Sequence, residues 1–262
     1  MTEQAAEFLH MGAGDDARNI AFLHRRAASQ PDAPLLVWLG GYRSDMRGTK
    51  AVELDRFAAE NGLACLRLDY SGHGASGGDF KRGTISRWLE EALAVLRAKA
   101  PARVILVGSS MGGWIALRMV EELRKAGGAP SVAGLVLIAP APDFTAELIE
   151  PSLTEAEKTS LVERGYFEEH SEYSPEPNIF TRALMEDGRQ NRVLTGIITT
   201  GCPVHILQGM RDPDVPYQHA LKLVEHLPAD DVVLTLIRDG DHRLSRPQDI
   251  DRMLAAVKAL AI

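Results

Sequence analysis

Residues 104–114 read Val-Ile-Leu-Val-Gly-Ser-Ser-Met-Gly-Gly-Trp, and this stretch decides the fold. Its apolar, β-branched start predicts a buried strand, and the apolar residues at helical spacing after it predict a helix. Between the two lies a Gly-x-Ser-x-Gly pattern centred on Ser110. In that setting the pattern predicts a sharp turn that raises Ser110 above the strand end as a nucleophile, because glycine tolerates the crowded backbone. The alternative is a glycine-rich turn without chemistry.

A serine that attacks an acyl group generates a tetrahedral oxyanion, which needs two N–H donors. The N–H of Met111 would be one, because it falls at the predicted helix N-terminus, where partial positive charge gathers. The second is expected where the apolar run Leu35–Leu39 ends in Gly40-Gly41-Tyr42. The two glycines let the backbone approach closely, so we predict the N–H of Tyr42. Alternatively, the glycines only end the strand.

Two later loops supply a candidate acid and a candidate base. Asp212 follows the strand predicted at residues 204–207, and His242 follows the last predicted strand. Both would lie at the same sheet edge as Ser110, in the chain order that suits such an elbow. His242 is expected to act as the general base and Asp212 to orient it. Asp214 is the alternative acid, and a solvated turn is the alternative without chemistry.

The chain has eight histidines, and order and placement favour His242 over the other seven. His73, for example, precedes Ser110 in the chain, and His219 falls in a pattern typical of a surface helix. No Cys/His cluster has the spacing of a zinc site. We therefore expect neither a metal nor a cofactor.

The rest of the chain alternates predicted strands and helices, which favours an α/β fold with a mostly parallel central sheet and helices on both faces. We expect residues 1–142 and 202–262 to form this core. Between them, residues 143–201 break the alternation with charged, proline-containing and weakly helical pieces, including 178–185. A stretch of that length is seldom structureless. We therefore predict a small helical cap inserted after the sixth core strand.

Composition narrows the class of function further. The net charge over 262 residues is −7 and no basic run stands out, so we expect no nucleic-acid partner. Cys65 and Cys202 are expected to be free thiols. Residues 1–7 lack the apolar core of a secretory signal, and no stretch is long and apolar enough to span a bilayer. We expect a cytoplasmic protein without stable membrane insertion, and the oligomeric state stays open.

Six motifs together carry a family resemblance. They are Leu39-Gly40-Gly41-Tyr42, Gly48-Thr49-Lys50-Ala51, Asp69-Tyr70-Ser71-Gly72, Gly108-Ser109-Ser110-Met111-Gly112-Gly113-Trp114, Gly209-Met210-Arg211-Asp212 and Asp241-His242-Arg243. On these the chain resembles the α/β-hydrolase superfamily and, within it, the mitochondrial palmitoyl-protein thioesterase branch. The resemblance implies the α/β-hydrolase fold and a serine hydrolase that removes long acyl chains from cysteine thioesters and cleaves acyl glucuronides. We expect no transit peptide from the sequence, so the resemblance is not taken to imply mitochondrial import.

The expected activity is hydrolysis of acyl esters or thioesters through an acyl-enzyme, in the manner of an S-depalmitoylase, on a small-molecule or acylated-protein substrate. A carboxylesterase for small or acyl-glucuronide esters is one alternative, and it would use the same three side chains. A ligand-binding module without catalysis is the other. The apolar residues of the predicted cap favour a groove for an acyl chain; alternatively, they only attach the cap to the core.

Overall fold

The computed structural model describes residues 5–30, 32–170, 176–229 and 231–262. The strands within these ranges are β1 Glu7–Met11, β2 Arg18–Arg25, β3 Leu35–Leu39, β4 Cys65–Leu68, β5 Arg103–Ser109, β6 Ser131–Ile138, β7 Tyr166–Glu169, β8 Asn178–Thr181, β9 Val204–Gly209 and β10 Val232–Ile237. The α-helices are α1 Thr49–Glu60, α2 Ile85–Lys99, α3 Met111–Ala126, α4 Glu155–Glu163, α5 Arg182–Gln190, α6 Tyr217–Glu225 and α7 Pro247–Ala261.

In the described part of the chain, eight strands form one sheet in the order β1-β2-β4-β3-β5-β6-β9-β10. The pairs β1/β2 and β2/β4 are antiparallel, and every other neighbouring pair is parallel. The carboxyl ends of β3, β5, β9 and β10 therefore meet at one edge. This edge gathers the loops that carry the predicted site residues, as expected for an open α/β sheet.

The central strand β5 has helices on both faces. Side chains alternate across a strand, so Leu106 and Val107 point to opposite sides. Leu106 packs in the same apolar core as Trp88 of α2, whereas Val107 joins Leu54 of α1 and Met253 of α7. All five of these residues are buried. The predicted α/β-hydrolase fold, with its mostly parallel sheet between helices, is confirmed.

The segment between β6 and β9 holds α4, α5 and a separate two-stranded sheet of β7 and β8. The expected helix over residues 178–185 is wrong in its first half, because Asn178–Thr181 forms β8 and pairs antiparallel with β7. The helix begins at Arg182, where the Thr181 hydroxyl caps it by accepting from the N–H of Leu184 at 3.1 Å. The boundaries of the cap remain a prediction. Residues 1–4, 31, 171–175 and 230 of the predicted segments lie outside the described residues.

One buried carboxylate ties together the two ends of this segment. Asp143 comes a few residues after the end of β6 and directly after Pro142. Its side chain accepts the N–H groups of Val193 and Leu194, each at 2.8 Å. The Asp143 backbone has a φ of +56°, an uncommon conformation for a residue with a side chain. A second link joins Asn191 to the Ser86 hydroxyl of α2 at 2.8 Å. The segment is thus held against the core at its base.

Candidate active site

Ser110 sits in a strained turn between β5 and α3. Its φ and ψ are +54° and −119°, which a residue with a Cβ rarely adopts. The flanking glycines make the turn possible: a Cβ on Gly108 would lie 2.4 Å from the Gly112 carbonyl oxygen. A Cβ on Gly112 would lie 2.0 Å from the Leu39 carbonyl oxygen. Only glycine fits at either position, so the sharp turn expected from the Gly-x-Ser-x-Gly pattern is present.

The structure brings Ser110, His242 and Asp212 together in one hydrogen-bonded line. The Ser110 Oγ lies 3.0 Å from the His242 Nε2, and the His242 Nδ1 lies 2.8 Å from the Asp212 Oδ2. Because a carboxylate can only accept, we assign the ring proton to Nδ1, which leaves Nε2 to accept the serine hydroxyl. Asp214, the alternative acid, is exposed, and its backbone N–H donates to Asp212 at 2.9 Å.

Further donors surround the Asp212 carboxylate. Its Oδ1 also accepts the Val215 N–H at 2.8 Å, and its Oδ2 accepts the Gln208 side-chain amide at 3.1 Å. Gln208 is completely buried and also donates to the Val215 carbonyl at 3.0 Å. Sequence reasoning missed Gln208. The available signal was an uncharged polar residue near the end of strand β9, directly after Ile206 and Leu207 and four residues before Asp212.

The two predicted oxyanion donors lie on either side of the elbow. A Cβ on Gly41 would come within 3.3 Å of the Ser110 Cβ, so the loop after β3 runs directly against the serine. Among the described residues, the backbone N–H groups of Tyr42 and Met111 have no acceptor. Free N–H groups beside a nucleophile are what an oxyanion requires. Their role stays a prediction.

The side chain of Tyr42 reaches into the inserted segment. Its hydroxyl donates to the carbonyl of Ile179, and its ring stacks on Phe180 with centroids 5.2 Å apart. Burial raises the pKa of this phenol. The neighbouring Arg43 makes a similar connection, with its guanidinium 2.9 Å from the Pro177 carbonyl oxygen and 2.5 Å from the Glu176 carboxylate. The loop after β3 is therefore clamped by β8 and the residues just before it.

A cavity of about 570 Å³ opens over Ser110 and His242. Its apolar lining comes largely from the inserted segment and the loop after β9, and includes Met111, Ala141, Phe144, Leu148, Ile149, Phe180 and Val215. Its polar lining includes Arg43, Asn178, Glu169 and Asp214. Burial raises the pKa of Glu169, and the nearby Asp214 carboxylate adds to this effect. The cavity size is typical of a small-ligand site.

One group of metal-ligating atoms occurs in the described part of the chain. It consists of one atom each from Asp212, Asp214 and His242, all within 4.8 Å of one another. Two of these side chains already bind each other. A cation there would compete with the hydrogen bond between the His242 Nδ1 and the Asp212 carboxylate. The expectation that no metal is needed stays a prediction.

Lys50 belongs to one of the six motifs and lies near the histidine loop. Its ammonium donates to the carbonyl of Arg243, the residue after His242, and lies 3.4 Å from the Ser245 hydroxyl. Burial lowers the pKa of Lys50 to about 8. The N-terminal turn of α1 is thus bonded to the backbone beside His242. His219, expected on a surface helix, is instead buried and lies 2.8 Å from the Pro142 carbonyl oxygen.

The fold and this arrangement of side chains define a class of protein. The chain belongs to the α/β hydrolase family, whose model matches residues 11–256. It is 31% identical over 228 residues to the mouse palmitoyl-protein thioesterase ABHD10, mitochondrial, covering 87% of this chain and 75% of that protein. None of the helices in the described part of the chain is long and apolar enough to cross a bilayer.

Two solved structures are similar over nearly the whole chain. A hydrolase candidate from Agrobacterium vitis S4 is 68% identical with a TM-score of 0.96, over 98% of this chain and 99% of that one. The mouse α/β hydrolase domain-containing protein 10 is 28% identical with a TM-score of 0.83, over 98% of each chain. The predicted resemblance to the palmitoyl-protein thioesterase branch is confirmed.

Proposed function

We propose that this protein hydrolyses acyl esters or thioesters through an acyl-enzyme on Ser110, acting as an acyl-protein thioesterase of the S-depalmitoylase kind. One observation carries the proposal. The hydrogen-bonded line of Ser110, His242 and Asp212 ends under a cavity that has an apolar wall. The relatives named palmitoyl-protein thioesterase support the same class of reaction.

The geometry suggests the order of proton transfers. The Ser110 Oγ attacks the acyl carbon while the His242 Nε2 takes its proton, and Asp212 stabilises the resulting imidazolium. The N–H groups of Tyr42 and Met111 would bind the oxyanion. The imidazolium then gives the proton to the departing thiolate or alkoxide. A water molecule attacks the acyl-serine in the same way, and the free acid and Ser110 are released.

The apolar wall supplies the reason to expect long acyl chains. Each methylene moved from water into such a surface contributes about 0.8 kcal/mol. Binding should therefore strengthen with chain length until the cavity is filled. The segment that provides Phe144, Leu148, Ile149 and Phe180 would then set the acyl preference, while the core supplies the chemistry.

A second candidate is a carboxylesterase for small or acyl-glucuronide esters. The observation in its favour is the polar part of the lining, where Arg43, Asn178 and Glu169 face the same cavity. A sugar leaving group offers hydroxyls to such side chains, whereas a palmitoyl chain does not. Both candidates use the same nucleophile, so only substrate profiles separate them.

The decisive experiment is a series of p-nitrophenyl esters and acyl-cysteine peptides from acetyl to palmitoyl, with Ser110→Ala as control. We expect kcat/KM to rise from acetyl to at least octanoyl. A steady fall with chain length would favour the small-ester carboxylesterase. Labelling by a fluorophosphonate probe, lost in Ser110→Ala, requires an activated serine. A folded protein without labelling or turnover would support the ligand-binding module.

We also propose a cytoplasmic location, although the curated relatives are named mitochondrial. Cys65 and Cys202 are both buried and form no disulfide with each other in the structure, which suits a reducing compartment. Acylated proteins or small acyl esters would be the partners, and nucleic acid would not. Fractionation of cells that carry the tagged protein would test the location.

A further inference from the structure

His73 is a second histidine close to the active site, and the proposed chemistry does not use it. It lies in the loop after β4 and is only 3% exposed. Its ring is enclosed by aromatic side chains, with centroids 5.1 Å from Phe80, 5.2 Å from Trp88 and 5.7 Å from Tyr70. A buried polar ring in such surroundings must satisfy its two nitrogens within the protein.

Both nitrogens of His73 have backbone partners. The Nδ1 lies 3.2 Å from the Ser71 carbonyl oxygen, and the Nε2 lies 3.1 Å from the backbone nitrogen of Arg43. A carbonyl can only accept and a backbone N–H can only donate, so this geometry requires a neutral ring with its proton on Nδ1. Burial lowers the pKa of His73 to about 4, which keeps the ring neutral at ordinary pH.

The His73 Nε2 accepts the N–H of Arg43, which lies next to the predicted oxyanion site. Arg43 follows Tyr42 directly, and its φ of +56° lies in the left-handed region that a non-glycine residue enters only when its surroundings impose it. The same loop makes a second such contact, where the Met46 N–H donates to the Asp69 carboxylate at 2.6 Å. The residues after β4 thus set the path of the residues after β3.

We propose that His73 is a positioning residue: by accepting the Arg43 N–H, its Nε2 fixes the peptide after Tyr42 and keeps the Tyr42 N–H directed at the oxyanion. This inference rests on the proposed hydrolase function. It assigns no proton transfer to His73, which touches neither Ser110 nor His242 among the described contacts. The proposal predicts that loss of this bond weakens stabilisation of the oxyanion in the transition state. Binding of the substrate in its ground state should stay unchanged.

The test compares His73→Phe, which keeps an aromatic ring but has no acceptor, with His73→Gln, which keeps one. Loss of a whole oxyanion donor costs about 10²–10³-fold in kcat. A misdirected donor in His73→Phe should therefore lower kcat by roughly 10- to 100-fold with KM within about twofold. The affinity for an acyl trifluoromethyl ketone, which forms the oxyanion, should fall by the same factor as kcat/KM. His73→Gln should recover most of the loss.

His219→Phe is the matched control, because it also removes a buried histidine that binds a single backbone carbonyl, away from the loop after β3. We expect it to lower thermal stability while kcat and inhibitor affinity stay unchanged. Unchanged kcat and inhibitor affinity in a folded His73→Phe variant would overturn the proposal. Equal losses in His73→Phe and His73→Gln would also overturn it, since the acceptor would then be irrelevant.

A measurement on the wild type keeps the inference testable if these variants do not fold. The ¹⁵N shifts of the His73 ring should show the neutral Nδ1–H tautomer at pH 6 and above. A protonated ring or the Nε2–H tautomer would contradict the bond to Arg43. This measurement also separates two failures: an inactive, unlabelled wild type would refute the proposed hydrolase, while the tautomer would still decide the bond.

Discussion

Asp212 is surrounded by four hydrogen-bond donors, and this environment explains why it, and not Asp214, faces the imidazole. The His242 ring, the Gln208 amide and the N–H groups of Asp214 and Val215 all point at its carboxylate. Each donor balances part of the negative charge and fixes the orientation of the oxygens. The loop is therefore folded around Asp212, and Asp214 donates its backbone N–H to that carboxylate.

Substitution of the three aligned side chains should show this division of roles. We expect Ser110→Ala and His242→Ala to lower kcat by about 10⁴-fold or more, and Asp212→Asn by somewhat less. Asp214→Asn should stay within about threefold of wild type, because the substitution keeps the backbone N–H that binds Asp212. Steady-state kinetics on an octanoyl ester would measure these effects. The acid assignment is wrong if Asp214→Asn abolishes turnover and Asp212→Asn does not.

Gln208 should matter through Asp212 without contacting substrate. Gln208→Leu keeps the side-chain volume but removes the amide donor, so the carboxylate gains freedom to turn away from His242. We expect kcat to fall by about tenfold with KM within about twofold. An equal loss of stability without any change in kcat would show that Gln208 is only a structural residue. Chemical denaturation beside the kinetics separates the two results.

At the scale of elements, the contact between the loop after β3 and strand β8 joins the predicted oxyanion site to the inserted segment. The backbone N–H of Tyr42 belongs to the predicted oxyanion site, and its phenol hydroxyl donates to the Ile179 carbonyl of the inserted segment. Tyr42→Phe should lower the free energy of unfolding by about 1 kcal/mol, since the Ile179 carbonyl loses its donor. We also expect a smaller ratio of octanoyl to acetyl kcat/KM, because β8 lines the cavity.

Tyr70→Phe is the matched control for this effect. The Tyr70 hydroxyl is buried but has no hydrogen-bond partner among the described residues. Its removal should leave stability unchanged or slightly higher, since an unsatisfied polar group is lost. Urea unfolding of both variants would measure the difference. Equal costs for the two tyrosines would contradict a stabilising bond between Tyr42 and Ile179.

Most of the fold could be predicted because strong periodic signals coincide with turn chemistry. The stretch around Ser110 combines an apolar run, two glycines at fixed spacing and a helical pattern, and the structure follows it closely. Elements with weak sequence signals were not predicted correctly. Strand β1 was not predicted, because Glu7–Met11 is a short edge strand with mostly exposed side chains. Strand β8 is predicted as helix, because four residues are too few to distinguish the helical period of about 3.6 from the strand period of about 2. Its strand conformation depends on pairing with β7, which lies outside the local pattern.

The candidate site shows the same difference between residues with a strong sequence signal and residues without one. Ser110, Asp212 and His242 could be predicted because each follows a strand of the parallel sheet, and topology alone brings such loops together. Gln208 and His73 could not, because their partners are backbone groups or side chains whose approach depends on loop conformation. The Nε2 of His73 meets Arg43 across 30 residues of chain, and no local pattern records that contact.

At the scale of the whole molecule, acid should weaken the fold partly through His73. Burial lowers its pKa to about 4, with Arg43 opposing protonation and Asp45 favouring it more weakly. The unfolded chain, with an ordinary histidine pKa near 6.5, binds more protons between pH 6.5 and 4. The stability linked to His73 is therefore complete above pH 6.5 and is lost as the pH falls toward 4.

We expect this group to account for about 2 kcal/mol of the stability lost between pH 7 and pH 4.5. His73→Phe lacks the titrating group, so its stability should decline less over that range than the wild type's. Urea unfolding at the two pH values measures both declines. Parallel declines would mean that the ring is already protonated in the fold or stays exposed to solvent.

The carboxylate of Asp143 has a consequence for how proteins of this architecture diversify. The chain leaves the core near this residue and passes beside it again at Val193 and Leu194, so the Asp143 carboxylate closes the base of the segment between them. The entropic cost of such a loop grows only slowly with its length. A segment of different length or sequence could therefore replace it while the same closure is kept. Exchange of this one segment could then change the cavity lining, while Ser110, Asp212 and His242 stay on the loops of the core.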